Sequence, residues 1–198
     1  MTKLVSAALF SLTLASAAAL FAQAPAAPTG VPPAPRARVS PHETISATIG
    51  GRNGPRVTLT YGRPYSKDPK TGEIRKIWGG LVPWGKADRL GSDEATLLLT
   101  QQPLVIGATT IPAGAYTLYI VPAEAGSKLA FSSNLGKWGI PVDETHDVAR
   151  VDLVKSLLEK SVDQLTITIE QDAATGGGSL NIWWETTKLS LPFTLKKG

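Results

Sequence analysis

Tyr61, Arg63, Tyr65, Trp78, Trp84, Arg89 and Glu94 bring aromatic rings, guanidinium groups and a carboxylate into one stretch of the chain. Indole and phenol rings stack on the apolar faces of sugars, and the arginine fork makes paired hydrogen bonds to anionic oxygens. The set therefore suits a glycan or an anionic ligand, with Tyr61, Arg63, Tyr65, Trp84, Arg89 and Glu94 as the candidate binding residues. The competing arrangement is structural. Tyr61 and the tryptophans would fill the core, and Arg63 and Arg89 would pair with Glu94 or with backbone carbonyls.

Catalytic chemistry is harder to assemble. The two histidines are His42 and His146, so a histidine-based triad must use one of them. Asp143, Glu144, His146 and Asp147 crowd one loop, where a hard cation could bind, but their spacing matches no metal motif. A zinc site would need both histidines and some of these carboxylates. Asp93 and Glu94 are adjacent. In an extended chain they point to opposite faces and cannot share a site, and Asp93 reads as the start of a strand. Gly176-Gly177-Gly178 lacks a following Lys-Ser/Thr and reads as a flexible turn, not as a phosphate loop. Cysteine is absent, which removes thiol nucleophiles, cysteine zinc sites and disulfides. No catalytic residue, metal or cofactor is assigned on these grounds.

The elements that must position these residues read as strands and turns. Thr44–Ile49 and Arg56–Tyr61 alternate apolar and polar residues across a Gly/Asn turn at residues 50–54, a hairpin signal. Asp68-Pro69-Lys70-Thr71-Gly72 is a strong turn sequence inside residues 66–77 and predicts a second hairpin. Further strands are expected at Ala95–Thr100, Leu104–Ile106, Tyr116–Val121, Leu129–Ser132, Gln164–Glu170, Leu180–Glu185 and Lys188–Leu195, the last two split by Thr186-Thr187. Residues 147–160 fit either period, and we expect a strand to about Lys155 followed by one helical turn. Trp183 and Trp184 are neighbours, so at most one faces the core. Short alternating strands at this spacing predict an all-β fold, an antiparallel β-sandwich or a barrel-like single domain.

Lys3, the charge-free run Leu4–Phe21 and the small residues Ala22 and Ala24 follow the order of a secretory signal peptide. Cleavage is expected after Ala22. Without a cysteine to carry a lipid, no membrane anchor is expected after cleavage. Residues 23–40, with Pro25, Pro28, Pro32, Pro33 and Pro35 among alanines, predict a disordered spacer. Residues 41–197 remain for the domain, enough to bury a core without disulfides. The location implied is periplasmic or secreted.

Charge is unevenly placed. Residues 36–89 hold eleven Lys and Arg against four Asp and Glu, and residues 90–198 hold eight against twelve. Either the two halves neutralise each other or the first presents a basic face to an anionic ligand. No dense basic run with interleaved aromatics occurs, so nucleic acid is not an expected partner.

Several blocks carry a resemblance. They are Ser40-Pro41-His42-Glu43-Thr44, Tyr61-Gly62-Arg63-Pro64-Tyr65, residues 77–85 (Ile-Trp-Gly-Gly-Leu-Val-Pro-Trp-Gly), Ala113-Gly114-Ala115-Tyr116-Thr117-Leu118, Trp138-Gly139 and Asp147-Val148-Ala149-Arg150. In order and spacing the chain resembles the domain of unknown function 2911 family of exported bacterial proteins. That family usually reads Trp-Arg-x-Gly-Ala-Asn-Glu-Ala-Thr where this chain has residues 88–96, so its Trp and Asn are replaced at Asp88 and Asp93. The resemblance implies an exported β-rich domain and no agreed activity. The function expected is a non-catalytic module that binds an envelope component, a glycan or an anionic group. One alternative is a hydrolase-type enzyme using His42 or a carboxylate with Arg89. Another is a structural protein that self-associates through an exposed tryptophan. The envelope ligand or protein partner and the oligomeric state stay open.

Overall fold

The computed structural model describes residues 38–196. The expected signal peptide and all but the last three residues of the expected spacer lie outside the described residues. In chain order the strands are β1 (His42–Thr48), β2 (Arg56–Gly62), β3 (Asp88–Arg89), β4 (Thr96–Thr100), β5 (Leu104–Ile106), β6 (Thr109–Ile111), β7 (Gly114–Val121), β8 (Lys128–Ser132), β9 (Asp147–Asp152), β10 (Val154–Asp172) and β11 (Gly177–Leu195). Seven form one sheet in the order β1-β2-β4-β7-β8-β9, with β3 added alongside β7. The second sheet runs β10-β11-β5-β6. The pairings between these strands are antiparallel. The two sheets form a β-sandwich and do not close into a barrel.

Alternation decides which face each strand buries. In β2, Val57, Leu59 and Tyr61 are buried while Thr58 and Thr60 face outward. On that outer face Thr44 pairs with Thr60 and Ser46 with Thr58, each by a hydroxyl contact of 2.9 Å, the cross-strand pairing expected of β-branched and hydroxyl residues. The facing sheet contributes Leu165, Ile167, Leu180, Ile182, Leu189, Leu191 and Phe193, and these join Leu59, Leu98, Leu118, Ile120 and Phe131 in one core cluster. Burial of aliphatic and aromatic side chains at roughly 1.5–3 kcal/mol each holds the two sheets together.

Three local expectations change. Residues 154–172 are strand throughout, so the helical turn expected after Lys155 is absent; the pairing with β11 wins over the ambiguous periodicity. β11 is continuous across Thr186-Thr187, and its irregularity falls one residue earlier, at Glu185 with φ 51°. There the β10–β11 register shifts, and a bulge absorbs what reads as a break. The hairpin expected over residues 66–77 is reduced to one bridge, Lys67 to Ile74, around a turn that Gly72 closes onto the Asp68 carbonyl.

The tryptophans divide as adjacency requires. Trp184 is buried and its indole N–H donates to the Asp163 carbonyl. Trp183 points the other way, with Lys188 Nζ 4.7 Å from its ring centroid. Trp78 stacks on Trp84 at 6.4 Å and meets Trp184 edge-on at 6.3 Å. No helix among the described residues is long and apolar enough to cross a membrane.

Candidate functional site

The site is built where β1 begins and β2 ends. His42 opens β1 and pairs in register with Gly62. The residue at 62 is glycine for a steric reason: a Cβ there would stand 2.2 Å from the Ser92 carbonyl oxygen. This close approach lets the turn from Gly91 to Glu94 lie against the strand end, fixed by Ser92 N–H donating to the Gly62 carbonyl at 3.3 Å. The buried Thr96 hydroxyl donates to the Leu90 carbonyl across the same turn. Arg89 Nη1 donates to the Asp93 carbonyl at 3.1 Å.

Asp93 adopts φ 62°, a left-handed conformation that aspartate tolerates better than most residues. The chain is therefore not extended here, and the expectation that Asp93 and Glu94 point to opposite faces does not hold. Asp93 Oδ2 lies 3.4 Å and Glu94 Oε2 3.3 Å from His42 Nε2. Arg38, in the last residues of the expected spacer, closes the cluster. Its Nη2 donates to Glu94 Oε1 at 2.6 Å and its Nη1 to Glu94 Oε2. Nη1 also stands 3.0 Å from His42 Nε2 and 3.7 Å from Asp93 Oδ2. These bonds from Arg38 hold the Glu94 carboxyl down to about 2.

A hollow of about 450 Å³ opens beside the cluster, lined by His42, Tyr61, Glu94, Leu97, Lys137 and Trp138. Trp138 is 54% exposed, an unusual position for so large an apolar ring. Its loop is fastened by Ala95 N–H to the Lys137 carbonyl at 3.0 Å. Left-handed glycines at 136 and 139 flank it, and Gly139 packs against Arg89 so closely that a Cβ would stand 3.2 Å from the Arg89 Cβ.

A second hollow, of about 410 Å³, includes Tyr65, Arg75, Asp88, Arg89 and Asp93 on its wall. Arg75 is spent on the backbone, donating to the carbonyls of Tyr65 and Ser66. Burial raises the Asp88 carboxyl above the ordinary range.

The six candidate residues thus do not meet at one point. Tyr61 and Glu94 line the first hollow, and Tyr65 and Arg89 the second. Arg63 braces the sandwich, donating to the Leu165 carbonyl at 3.1 Å and to Thr166 Oγ1 at 2.9 Å, with Glu43 3.3 Å away. Trp84 belongs to the Trp78 stack. The charged groups of the loop carrying His146 pair mainly with one another, with Asp147 Oδ1 left buried and unpartnered. Asp143 accepts from Thr145 and stands 2.9 Å from His146 Nδ1, while Arg150 bonds Glu144 and Asp147. Among the described residues, His42, Asp93 and Glu94 form the one group of possible metal ligands whose atoms all lie within 4.8 Å of one another. Sequence reasoning missed this convergence, the part played by Arg38, and the exposure of Trp138 at the hollow. The available signals were the blocks Pro41-His42, Asp93-Glu94 and Trp138-Gly139, each lying far from the others in sequence.

Comparison with curated proteins and with solved structures finds no match. A family model described as "Protein of unknown function (DUF2911)" matches residues 40–193, which takes in the strands of both sheets up to the last two residues of β11 and the whole of the His42 cluster except Arg38. The chain belongs to the DUF2911 family.

Proposed function

We propose that the protein is an exported binding module that takes a glycan of the cell envelope in the hollow beside Trp138. The observation that carries this is the 54% exposure of Trp138 at a hollow also lined by His42, Glu94 and Lys137. An indole face held open to water covers the apolar C–H face of a sugar ring. Carboxylate, ammonium and imidazole groups around it match the alternating donors and acceptors of hydroxyl groups. Export is supported by the charged, apolar and small-residue order of residues 3–24.

Titration calorimetry of the protein against soluble envelope oligosaccharides tests the binding. A saturable isotherm that disappears in Trp138→Ala and weakens in Lys137→Ala is expected. Heats that are unchanged in Trp138→Ala would remove the hollow from consideration. Mass spectrometry of the exported chain tests the export, with cleavage after Ala22 expected.

The hydrolase reading keeps one supporting observation, the 3.3 Å contact between His42 and Glu94. Arg89, its intended partner, lines the other hollow. Release of reducing ends from the same oligosaccharides, lost in Glu94→Gln, would favour it over simple binding.

A further inference from the structure

We propose that His42 Nε2, Asp93 Oδ2 and Glu94 Oε2 form a site for one divalent transition-metal ion of the zinc type, for which the Arg38 guanidinium is the built-in competitor. The site does not rest on the glycan reading, because the chain supplies its ligands by itself.

The spacing of the ligand atoms carries the inference. An ion held at about 2.0–2.1 Å by tetrahedral ligands sets them about 3.3–3.4 Å apart. His42 Nε2 stands 3.4 Å from Asp93 Oδ2 and 3.3 Å from Glu94 Oε2, so two edges of that tetrahedron already have the required length. All three atoms lie within 4.8 Å of one another. The left-handed turn at Asp93, φ 62°, brings the carboxylates of these two neighbouring residues to the same side of the chain.

A cation already marks the place. Arg38 Nη1 bonds Glu94 Oε2, stands 3.0 Å from His42 Nε2 and lies 3.7 Å from Asp93 Oδ2. It thus touches or approaches each of the three ligand atoms. His42 Nε2 also faces the Asp93 and Glu94 carboxylates at 3.4 and 3.3 Å, and an imidazole nitrogen binds a metal through its lone pair. One imidazole with two carboxylates suits zinc and its neighbours in the first transition row, whereas calcium and magnesium prefer oxygen alone. Three protein ligands leave a fourth position. His42 and Glu94 both line the Trp138 hollow, so a ligand bound there has that position within reach.

The test uses the full chain, purified without a histidine tag, with zinc(II) in calorimetry and cobalt(II) as a visible-absorption probe. One ion per chain is expected in the wild type. Affinity should fall by about 100-fold or more in His42→Ala, since even residues that only support metal ligands are worth about 10–100-fold. Arg38→Ala should bind about thirtyfold more tightly, because it removes one positive charge about 4 Å from a doubly charged ion in water. A gain of affinity cannot come from a misfolded variant, which keeps the test decisive if His42→Ala is unstable. The metal site is overturned if the wild type binds no ion at millimolar zinc, or if binding is unchanged in both His42→Ala and Glu94→Gln. Affinity unchanged in Arg38→Ala would overturn the competitor role. Loss of oligosaccharide binding in Trp138→Ala with zinc binding intact would show the two sites to be separable.

Discussion

The Tyr61 hydroxyl lies 2.8 Å from the backbone nitrogen of Ile167 and 2.8 Å from Glu43 Oε2. Tyr61 belongs to β2 in one sheet and Ile167 to β10 in the other, so a single phenol spans the sandwich and accepts from one side while donating to the other. Arg63, two residues on, reaches the same strand through the Leu165 carbonyl. Tyr61→Phe keeps the ring and removes the oxygen, leaving a buried N–H without this partner. The expected loss is about 1–3 kcal/mol, read as a lower urea midpoint with unchanged slope. An unchanged midpoint would mean that the Tyr61 hydroxyl adds nothing to what joins the sheets.

The same residue predicts an alkaline limit. Burial, and the carboxylates of Glu43 and Asp147 respectively, push the Tyr61 and Tyr119 hydroxyls well above the ordinary phenol range. Both therefore keep their protons to higher pH in the folded chain than in the unfolded one. Below about pH 10 both states are protonated and the full stability is present. Above it only the unfolded chain releases protons, and stability falls by about 1.4 kcal/mol per pH unit for each tyrosine until the folded values are reached. Urea midpoints at pH 9, 10 and 11 check this. Tyr61→Phe should be less stable at pH 9 and should fall less steeply between pH 10 and 11; a slope equal to that of the wild type would contradict the assignment.

What could be read from the residues, and what could not, follows the range of the forces involved. β5 reads at its observed bounds because Pro103 breaks a short apolar run, which is local information. The β1–β2 hairpin was equally legible, from the alternation of Ile45 and Ala47 against Val57, Leu59 and Tyr61. Residues 156–160 read as a helical turn because Val154, Leu157 and Leu158 fit a helical spacing, and only pairing with a distant strand decides the matter, whereas Gln164–Glu170, further along the same strand, is legible from its alternation. The candidate site was least legible. Its ligands come from two segments joined by sheet register, and the rule of alternation places Asp93 and Glu94 apart. A left-handed residue at Asp93 reverses that result, and the family pattern, with Asn at this position, held the one local hint, since Asn and Asp are the residues most tolerant of that conformation.

Gly62→Ala tests whether close backbone approach is what places the turn. The new Cβ would meet the Ser92 carbonyl oxygen at 2.2 Å and Ser92 Oγ at 2.6 Å, so the turn carrying Asp93 and Glu94 must shift. An expected loss of about 1–3 kcal/mol follows from forcing an extra carbon into a packed contact. More telling is the effect at a distance: zinc affinity should fall although His42, Asp93 and Glu94 are all still present. Calorimetry on a sample shown to be folded by circular dichroism checks it. Retention of both stability and affinity would mean that the turn is free to move.

Trp138 and Trp184 should respond in opposite ways to truncation. Trp184 is 4% exposed, donates its N–H to the Asp163 carbonyl and packs edge-on against Trp78. Trp184→Ala should therefore cost about 3–5 kcal/mol, the range for removing a large buried ring. Trp138 is 54% exposed, and nothing in the core depends on it. Trp138→Ala should leave the urea midpoint within about 0.5 kcal/mol of the wild type. This contrast makes the binding experiment interpretable, because a ligand lost with Trp138 is then lost from a chain that is still folded. A large destabilisation by Trp138→Ala would instead place the ring among the groups that hold the loop at Gly136–Gly139, and its exposure would no longer argue for a ligand.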